Sequence, residues 1–259
     1  MTAPAAAAER AAPRMDRRAA PGASFRQRNA REEQPVKLYM HPASTTCRPI
    51  MMFIADTGLE VEQQVVDILA GEQYGEAFTA INPSSFVPVL EDGDFRLIES
   101  SAILKYLAEL SDSPAYAGSI RERARVNEML DWFNTNFYRT FGYGLVYAQI
   151  LDGCKLPEAS AQKLQVAAGK AQAERFLDVL DRHILGKGGP WLCGETLTIA
   201  DYLASGMISV GELIGCTFSA HPNIAAWYDR IQALPNWKAA NAALYEWASY
   251  TKGPQYVTV

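Results

Sequence analysis

A turn signal at Asp92-Gly93 constrains the fold of this chain more than any other feature of its sequence. The runs VPVLE (87–91) and DFRLIE (94–99) flank the pair, and an Asp-Gly pair between two strand-like runs is the strongest short-range sign of a β-hairpin. Pro88 stands at the start of the first run, where a strand tolerates proline. The sequence therefore predicts two antiparallel strands joined by a tight turn.

A β-α-β pattern precedes this hairpin. VKLYM (36–40) is a short apolar run typical of a buried strand, and VEQQVVDI (61–68) is interpreted as a second strand. Residues 45–57 between them have the apolar spacing of a helix, and a crossover of this kind predicts parallel strands. A further helix is predicted over 99–110, which gives the order β-α-β-α-β-β-α of a thioredoxin-like domain.

Strand patterns end after residue 118, and the rest of the chain is predicted to be helical. Proline and glycine breaks separate five helical stretches. These are 119–149, 157–186, 198–215, 221–234 and 235–248. The predicted fold class is therefore an α/β thioredoxin-like N-terminal domain followed by an all-α C-terminal domain.

The predicted domain boundaries follow from these patterns. Residues 1–35 are rich in Ala, Pro and Arg without periodicity, and are predicted to be a disordered tail. Residues 36–112 form the predicted thioredoxin-like domain, and 113–118 form a linker. Residues 119–259 form the predicted all-helical domain with a C-terminal tail.

Charge and composition argue against several classes of partner. The net charge is −5, and residues 1–35 contribute +3, so the remainder carries −8 and does not favour nucleic acid. No run approaches the roughly 20 apolar residues of a membrane span. The four cysteines and three histidines lack metal-ligand spacing, so we predict no metal site. Unpaired cysteines also favour reduced thiols and a cytoplasmic location.

Over about residues 36–248, the chain carries four motifs, in order, that resemble those of the cytosolic glutathione S-transferase family. The pattern is that of a theta-like bacterial member. The motifs are N-P-x-x-x-V-P at 82–88, Glu99-Ser100 at a helix start, W-L-C-G-E-T-L-T-I-A-D at 191–201 and H-P-N-I-A-A-W at 221–227. The resemblance implies the glutathione S-transferase fold, glutathione as co-substrate and a homodimer. Some relatives lend an acid to the partner's glutathione amine, and Asn127 and Asp131 are the candidates here.

The resemblance also implies how two backbone positions and a helix start bind glutathione. A cis Val87–Pro88 bond would turn the N–H and C=O of Val87 toward the cysteinyl part, like an added strand. Ser100 would bind the γ-glutamyl carboxylate at a helix N-terminus, where free N–H groups favour anions. Glu99 would face the γ-glutamyl ammonium.

The glycine end of glutathione is where the sequence departs from the family pattern. Gln73 takes the place of a His that theta-class relatives often carry, and Phe86 takes the place of a frequent Lys. Both departures remove positive charge and predict weaker binding. Arg48 and Lys105 are candidate replacements.

The segment HPASTTCR (41–48) supplies the candidate catalytic hydroxyls. On the theta-class pattern S-x-x-C-R, Ser44 takes the serine position, and Thr45 is a second candidate hydroxyl. A hydroxyl that donates to the glutathione thiolate contributes roughly 1.5–3 kcal/mol, which lowers the thiol pKa from about 8.5 by about one to two units. Thiolate then becomes a major species at pH 7 without a general base.

The electrophile is predicted to lie against DWFNTNFYRTFGYGLVY (131–147), where Phe137, Tyr138 and Phe141 are candidates for an apolar cleft. The tail from Trp247 to Tyr256 is a candidate lid. The predicted function is attack of glutathione thiolate on a small hydrophobic electrophile, by conjugation or by dehalogenation.

Two other functions stay open on the sequence. Lost charge at Gln73 and Phe86 favours a non-catalytic protein that binds glutathione or apolar ligands, or an interaction protein. A thiol-disulfide oxidoreductase would need a reactive cysteine at the turn, for which Cys47 is the candidate.

Overall fold

A computed structural model describes residues 35–116, 118–251, 253 and 255–259 of the 259-residue chain. The predicted disordered tail lies outside the described residues, apart from Pro35. The elements below belong to one compact unit, Gln34–Val259.

The first domain is built on a four-stranded sheet with the order β2-β1-β3-β4. Its strands are β1 (Val36–Met40), β2 (Val61–Val65), β3 (Val89–Asp92) and β4 (Phe95–Ile98). β1 pairs in parallel with β2 and antiparallel with β3, and β3 pairs with β4 in the hairpin. Gly93 makes the turn with φ 61°, a conformation that side chains disfavour. The predicted hairpin and the parallel pairing of the first two strands are confirmed.

Helices cover both faces of this sheet. α1 (Arg48–Thr57) and α3 (Ser100–Leu110) share one buried cluster with Leu38 of β1. α2 (Glu76–Thr79) covers the opposite face, where Phe78 packs edge-on against Tyr39 with ring centroids 6.4 Å apart. Neighbouring residues of a strand point to opposite faces, so Leu38 and Tyr39 enter different clusters.

The second domain is mostly helical, as predicted, with an isolated β-bridge between Trp191 and Gly194. Its α-helices are α4 (Ile120–Trp132), α5 (Ala148–Ile150), α6 (Ala159–Val179), α7 (Ile199–Ser209), α8 (Pro222–Gln232), α9 (Trp237–Ala240) and α10 (Ala242–Thr251). Two π-helical segments, Phe133–Phe137 and Arg139–Tyr147, lie between α4 and α5. The sequence predicted a helix over this region, but not its π geometry. The predicted fold class is confirmed.

The helical domain packs directly on the turn between β1 and α1. Gly206 of α7 makes this possible, because a Cβ atom there would lie 2.6 Å from the Thr45 carbonyl oxygen and 2.5 Å from Cγ of Pro49. Contacts this short leave no room for a side chain. The second domain therefore contributes to the position of the segment that carries Ser44.

The described residues also bear on membrane, metal and disulfide predictions. No helix among them combines the length and the apolar character that crossing a bilayer requires. No group of three or more His, Cys, Asp or Glu side chains within the same residues is placed to hold a metal ion. All four cysteines are free, and Cys47 and Cys216 are buried.

Candidate active site

The turn between β1 and α1 holds Ser44 by its backbone. The Ser44 N–H donates to the His41 carbonyl at 2.9 Å, and the Ser44 carbonyl accepts from the Arg48 N–H at 3.1 Å. The ring Nδ1 of His41 accepts the Ala43 N–H at 3.1 Å. Ser44 itself is half-buried, so its hydroxyl belongs to a fixed and partly sheltered turn.

The hydroxyl beside Ser44 belongs to Thr46. The Oγ atom of Ser44 lies 3.3 Å from Oγ1 of Thr46, and the Thr46 hydroxyl donates to the Val87 carbonyl at 3.4 Å. Thr45, by contrast, is buried, and its hydroxyl is hydrogen-bonded to the Tyr147 phenol. This hydrogen bond joins the two domains and argues against Thr45 as the second catalytic hydroxyl.

Cys47 is fully buried at the start of α1. Burial raises the pKa of its thiol to about 11, and a hydrogen bond with the Ser44 hydroxyl lowers it by less. Such a thiol is almost entirely protonated at neutral pH and is a poor nucleophile. The oxidoreductase interpretation thereby loses the cysteine on which it depended.

Arg48 is a buried cation at the interface between the domains. Its guanidinium donates to Asn241 Oδ1, to Ser209 Oγ at 2.9 Å and to the Gly206 carbonyl at 3.2 Å. These partners are neutral, and burial lowers the pKa of the guanidinium. The prediction that Arg48 replaces charge at the glycine end is wrong, because this side chain is 1% exposed and bonded to the helical domain.

The Val87–Pro88 peptide bond is cis, as predicted. β3 begins at Val89, so Val87 precedes the paired part of the strand. The buried Asn82 supports the loop before it, since its side-chain amide donates to the Phe86 carbonyl at 2.8 Å. The backbone of Val87 is thus held in a supported loop and is free of the strand ladder.

α3 begins at Ser100, with Glu99 as its N-cap residue. Glu99 has φ 71°, a left-handed conformation that is rare for residues other than glycine and is concentrated at functional sites. The Glu99 side chain is exposed and does not cap the helix. The first N–H groups of α3 and the buried Ser100 therefore form a helix start suited to an anion.

Gln73 is 9% exposed in the segment before α2. Its Nε2 donates to the Ile68 carbonyl at 3.4 Å, while its buried Oε1 accepts no hydrogen bond from any described residue. Buried polar atoms without a partner are uncommon, and this oxygen can pair only with a donor, whereas Nε2 has a second proton that a carboxylate could accept. Phe86 is 67% exposed, and Lys105 is half-buried on α3.

Phe137 and Phe141 lie in the core of the helical domain. Both are fully buried, and their rings stack with centroids 5.0 Å apart. Their burial argues against the prediction that they line a cleft, because aromatic side chains at helical spacing here face the interior, as they do in most amphipathic helices.

Three tyrosines lie together where the π-helical region meets the turn. The ring of Tyr143 is 5.2 Å from those of Tyr138 and Tyr147, and it is 49% exposed. The Tyr138 and Tyr147 hydroxyls are 3.0 Å apart, which extends the hydrogen bond from Thr45 into the helical domain. Burial raises the pKa of both Tyr138 and Tyr147, so both phenols stay protonated at neutral pH.

Sequence reasoning selected Tyr138 but missed Tyr143 and Tyr147. Tyr138 and Tyr143 are five residues apart, which places them on different faces of an α-helix but makes them neighbours in a π-helix. The density of tyrosine over residues 138–147 was the signal available, but the sequence does not reveal the π-helical period that brings these side chains together.

The C-terminal tail is tied to the end of this same helical region. The side-chain amide of Gln149 donates to the Val257 carbonyl at 2.9 Å and accepts the Val257 N–H at 2.8 Å. Gln149 follows Tyr147 by two residues, so the tail is bonded to the end of the segment that carries the tyrosines. Of the two candidate intersubunit residues, Asn127 accepts a hydrogen bond from Tyr116 at 3.1 Å, and Asp131 is exposed.

Comparison with known proteins finds two matching family models. The model for the glutathione S-transferase N-terminal domain matches residues 34–109, and that for the glutathione S-transferase C-terminal domain matches residues 148–242. Together they cover more than half of the chain, including the turn, the cis bond and the start of α3.

Curated proteins and solved structures with similar sequences agree with these models. Glutathione S-transferase theta-2B of Homo sapiens is 32% identical over 205 residues, which cover 77% of this chain and 81% of that protein. Dichloromethane dehalogenase of Methylophilus leisingeri is 29% identical over 213 residues, with coverages of 80% and 79%. The structure of human glutathione transferase theta-2, in complex with glutathione and an unknown ligand, superposes with a TM-score of 0.71 at 28% identity, covering 85% of this chain and 94% of that one.

Proposed function

The chain belongs to the glutathione S-transferase family and is an enzyme of the glutathione transferase type, and we propose that Ser44 is the group that activates glutathione in it. One observation carries this proposal: the Ser44 hydroxyl is linked through Thr46 to the Val87 carbonyl, beside the cis Val87–Pro88 bond. Glutathione paired with the Val87 backbone would place its sulfur near the hydroxyl that can stabilise it.

The chemistry is stabilisation of a thiolate, followed by nucleophilic attack. The free thiol of glutathione has a pKa of about 8.5, so only a few per cent is ionised at pH 7. A hydrogen bond from Ser44 to the sulfur, together with the positive end of α1, favours the charged form. The thiol proton is released to solvent, and no covalent bond to the protein forms. Proximity of the thiolate to the electrophile supplies the rest of the acceleration.

The remaining binding roles follow the geometry of the first domain. In this proposal the Val87 backbone pairs with the cysteinyl part, and Ser100 with the α3 N–H groups binds the γ-glutamyl carboxylate. Glu99 faces the γ-glutamyl ammonium, and Gln73 donates to the glycine carboxylate. The division into a glutathione-binding domain (36–112), a linker (113–118) and a helical domain (119–259) belongs to the same proposal.

The electrophile is proposed to bind between the turn and the tyrosines of the helical domain. Tyr143 is the exposed member of that cluster, and Tyr138 is half-buried behind it. Mixed aromatic and hydroxyl surface suits a small hydrophobic molecule with one polar group, such as an organic halide. A dichloromethane dehalogenase among the relatives supports dehalogenation beside conjugation as the reaction. Detoxification of such electrophiles by a cytoplasmic homodimer is the cellular role we propose.

The experiment is an ultraviolet titration of bound glutathione thiolate against pH. The wild-type protein should show a midpoint about one to two pH units below that of free glutathione, and Ser44→Ala should return it close to 8.5. Ser111→Ala, which removes a hydroxyl bonded to the Leu107 carbonyl at the far end of α3, is the matched control. A depressed midpoint that survives Ser44→Ala would refute the assignment of Ser44.

The sequence also left open a binding protein without catalysis: the missing positive charge around Gln73 and Phe86 favours it, and the enzymes among the relatives oppose it. Retention on immobilised glutathione, with no thiolate band at any pH between 5 and 9, would support this alternative over the first.

A further inference from the structure

Thr46 lies between the Ser44 hydroxyl and the Val87 carbonyl. The proposed function assigns the first to thiolate stabilisation and the second to binding of the glutathione backbone. The Oγ1 atom of Thr46 lies 3.3 Å from the Ser44 hydroxyl and 3.4 Å from the Val87 carbonyl oxygen. Of the other side chains in this turn, Thr45 is bonded to Tyr147, and the buried thiol of Cys47 is itself hydrogen-bonded to the Ser44 hydroxyl. Thr46 is therefore the side chain that connects the Ser44 hydroxyl to the Val87 carbonyl by hydrogen bonds.

The direction of these two hydrogen bonds follows from the number of protons. A carbonyl oxygen only accepts, so the single hydroxyl proton of Thr46 is donated to Val87. The Thr46 oxygen then accepts, and Ser44 is the donor in the bond between the two hydroxyls. The neutral Cys47 thiol is then the donor in its hydrogen bond with Ser44. Without glutathione, the Ser44 proton thus points at Thr46 and away from any thiolate.

Binding of the cysteinyl amide to Val87 would reverse this arrangement. The cysteinyl N–H of glutathione competes with the Thr46 hydroxyl for the Val87 carbonyl. The bond from Thr46 is 3.4 Å long, against the usual 2.7–2.8 Å for such bonds, so it is weak and easily replaced. The released Thr46 proton can then be donated to the Ser44 oxygen, and the Ser44 proton turns to the sulfur. Only hydrogen bonds change partners, and the thiol proton still leaves to solvent.

We propose that Thr46 is a positioning residue that couples recognition of the glutathione backbone at Val87 to thiolate stabilisation by Ser44. This inference rests on the proposed role of Ser44 and extends it. A hydroxyl that accepts one hydrogen bond becomes a better donor in the next, by roughly 10–30% per bond. Free enzyme would keep Ser44 turned away, and only correctly docked glutathione would receive its proton.

The test compares Thr46→Val, which keeps the shape and removes the hydroxyl, with Thr46→Ser, which keeps the hydroxyl. Thr57→Val is the matched control, because the Thr57 hydroxyl bonds only to carbonyls within α1, at the end far from the turn. Circular dichroism checks the fold of each variant, and Thr46→Ala replaces Thr46→Val if the latter is unfolded. Two quantities are measured: the thiolate midpoint of bound glutathione, and the dissociation constant of S-methylglutathione, which lacks an ionisable thiol.

We expect Thr46→Val to raise the thiolate midpoint by roughly 0.2–0.6 pH units, with Thr46→Ser and Thr57→Val within about 0.1 of the wild type. S-methylglutathione should bind Thr46→Val as tightly as the wild type or a few-fold more tightly, because the Val87 carbonyl is already free. An unchanged midpoint in Thr46→Val, with the effect of Ser44→Ala intact, would overturn the coupling and leave the role of Ser44 standing.

Two further results would overturn the inference. An equal rise in Thr46→Ser would show that side-chain shape matters and the hydroxyl does not. Weaker binding of S-methylglutathione to Thr46→Val, by five-fold or more, would assign Thr46 to peptide binding itself. If Ser44→Ala keeps the wild-type thiolate midpoint, Ser44 does not stabilise the thiolate and the proposed function itself fails. This result differs from failure of the coupling alone, in which Ser44→Ala still changes the midpoint.

Discussion

The hydroxyl of Thr45 is hydrogen-bonded to the phenol of Tyr147, although 102 residues separate them in the sequence. Both side chains are buried, and Tyr147 continues the contact to Tyr138 at 3.0 Å. The residue next to Ser44 is thus held by the other domain. Because neighbouring backbone positions move together, the position of the helical domain affects the position of the Ser44 hydroxyl, which is proposed to be catalytic.

Tyr147→Phe should destabilise the protein by about 1–3 kcal/mol, because it leaves the buried Thr45 hydroxyl without its partner. Urea unfolding measures the loss. Thr45→Val combined with Tyr147→Phe removes both partners. The stability lost in the double variant should therefore be smaller than the sum of the two single losses, by about 0.5 kcal/mol or more. Additive losses would mean that the two hydroxyls do not interact.

Gly206→Ala should lower both stability and kcat/KM. The added methyl group would lie 2.6 Å from the Thr45 carbonyl, so α7 and the turn must move apart, at a cost of about 1–3 kcal/mol. Gly153→Ala is the control, since no atom lies within 4 Å of a Cβ there and the stability should change by less than about 0.5 kcal/mol. Equal stability and activity of the two variants would show that the interface tolerates a side chain.

Phe86→Lys should lower the KM for glutathione by roughly two- to five-fold, since it restores an exposed positive charge near the proposed site of the glycine carboxylate. Phe86→Gln, which removes the ring without adding charge, separates the two effects. The gain should shrink at 1 M salt, where charges are screened within about 3 Å. A salt-independent gain would point to loss of the phenylalanine as its cause.

Cys47 should resist alkylation in the folded protein, and Cys47→Ala should retain transferase activity. With a pKa of about 11, roughly one thiol in a thousand is ionised at pH 8, and the residue is buried. Mass spectrometry after iodoacetamide treatment at pH 8 should find Cys154, which is partly exposed, modified first. Rapid labelling of Cys47 with loss of activity would restore the oxidoreductase hypothesis.

The same raised pKa has a consequence for stability. Folding raises the pKa of Cys47 from 9.0 to about 11, so the folded state favours the neutral thiol. The contribution of Cys47 to the free energy of unfolding is complete below pH 9 and is lost as the pH rises through about 11. Cys47→Ala should therefore show a shallower loss of stability between pH 9 and pH 11, measured by urea unfolding at each pH.

The sequence by itself determined the order of elements, the hairpin at Gly93 and the helical second half. These features depend on contacts between residues close in the chain, such as the turn geometry of glycine and the spacing of apolar side chains. The cis Val87–Pro88 bond was predicted only through the family resemblance, because an X-Pro pair in a sequence does not reveal its isomer.

Tertiary structure alone decided which side chains of the turn face the site. Thr45 and Thr46 are adjacent and identical in type, yet one bonds to Tyr147 and the other to Ser44 and Val87. Arg48 is buried because its acceptors lie far along the chain in the helical domain. A side chain's partner depends on which distant surface packs against it, and no local period in the sequence records that choice.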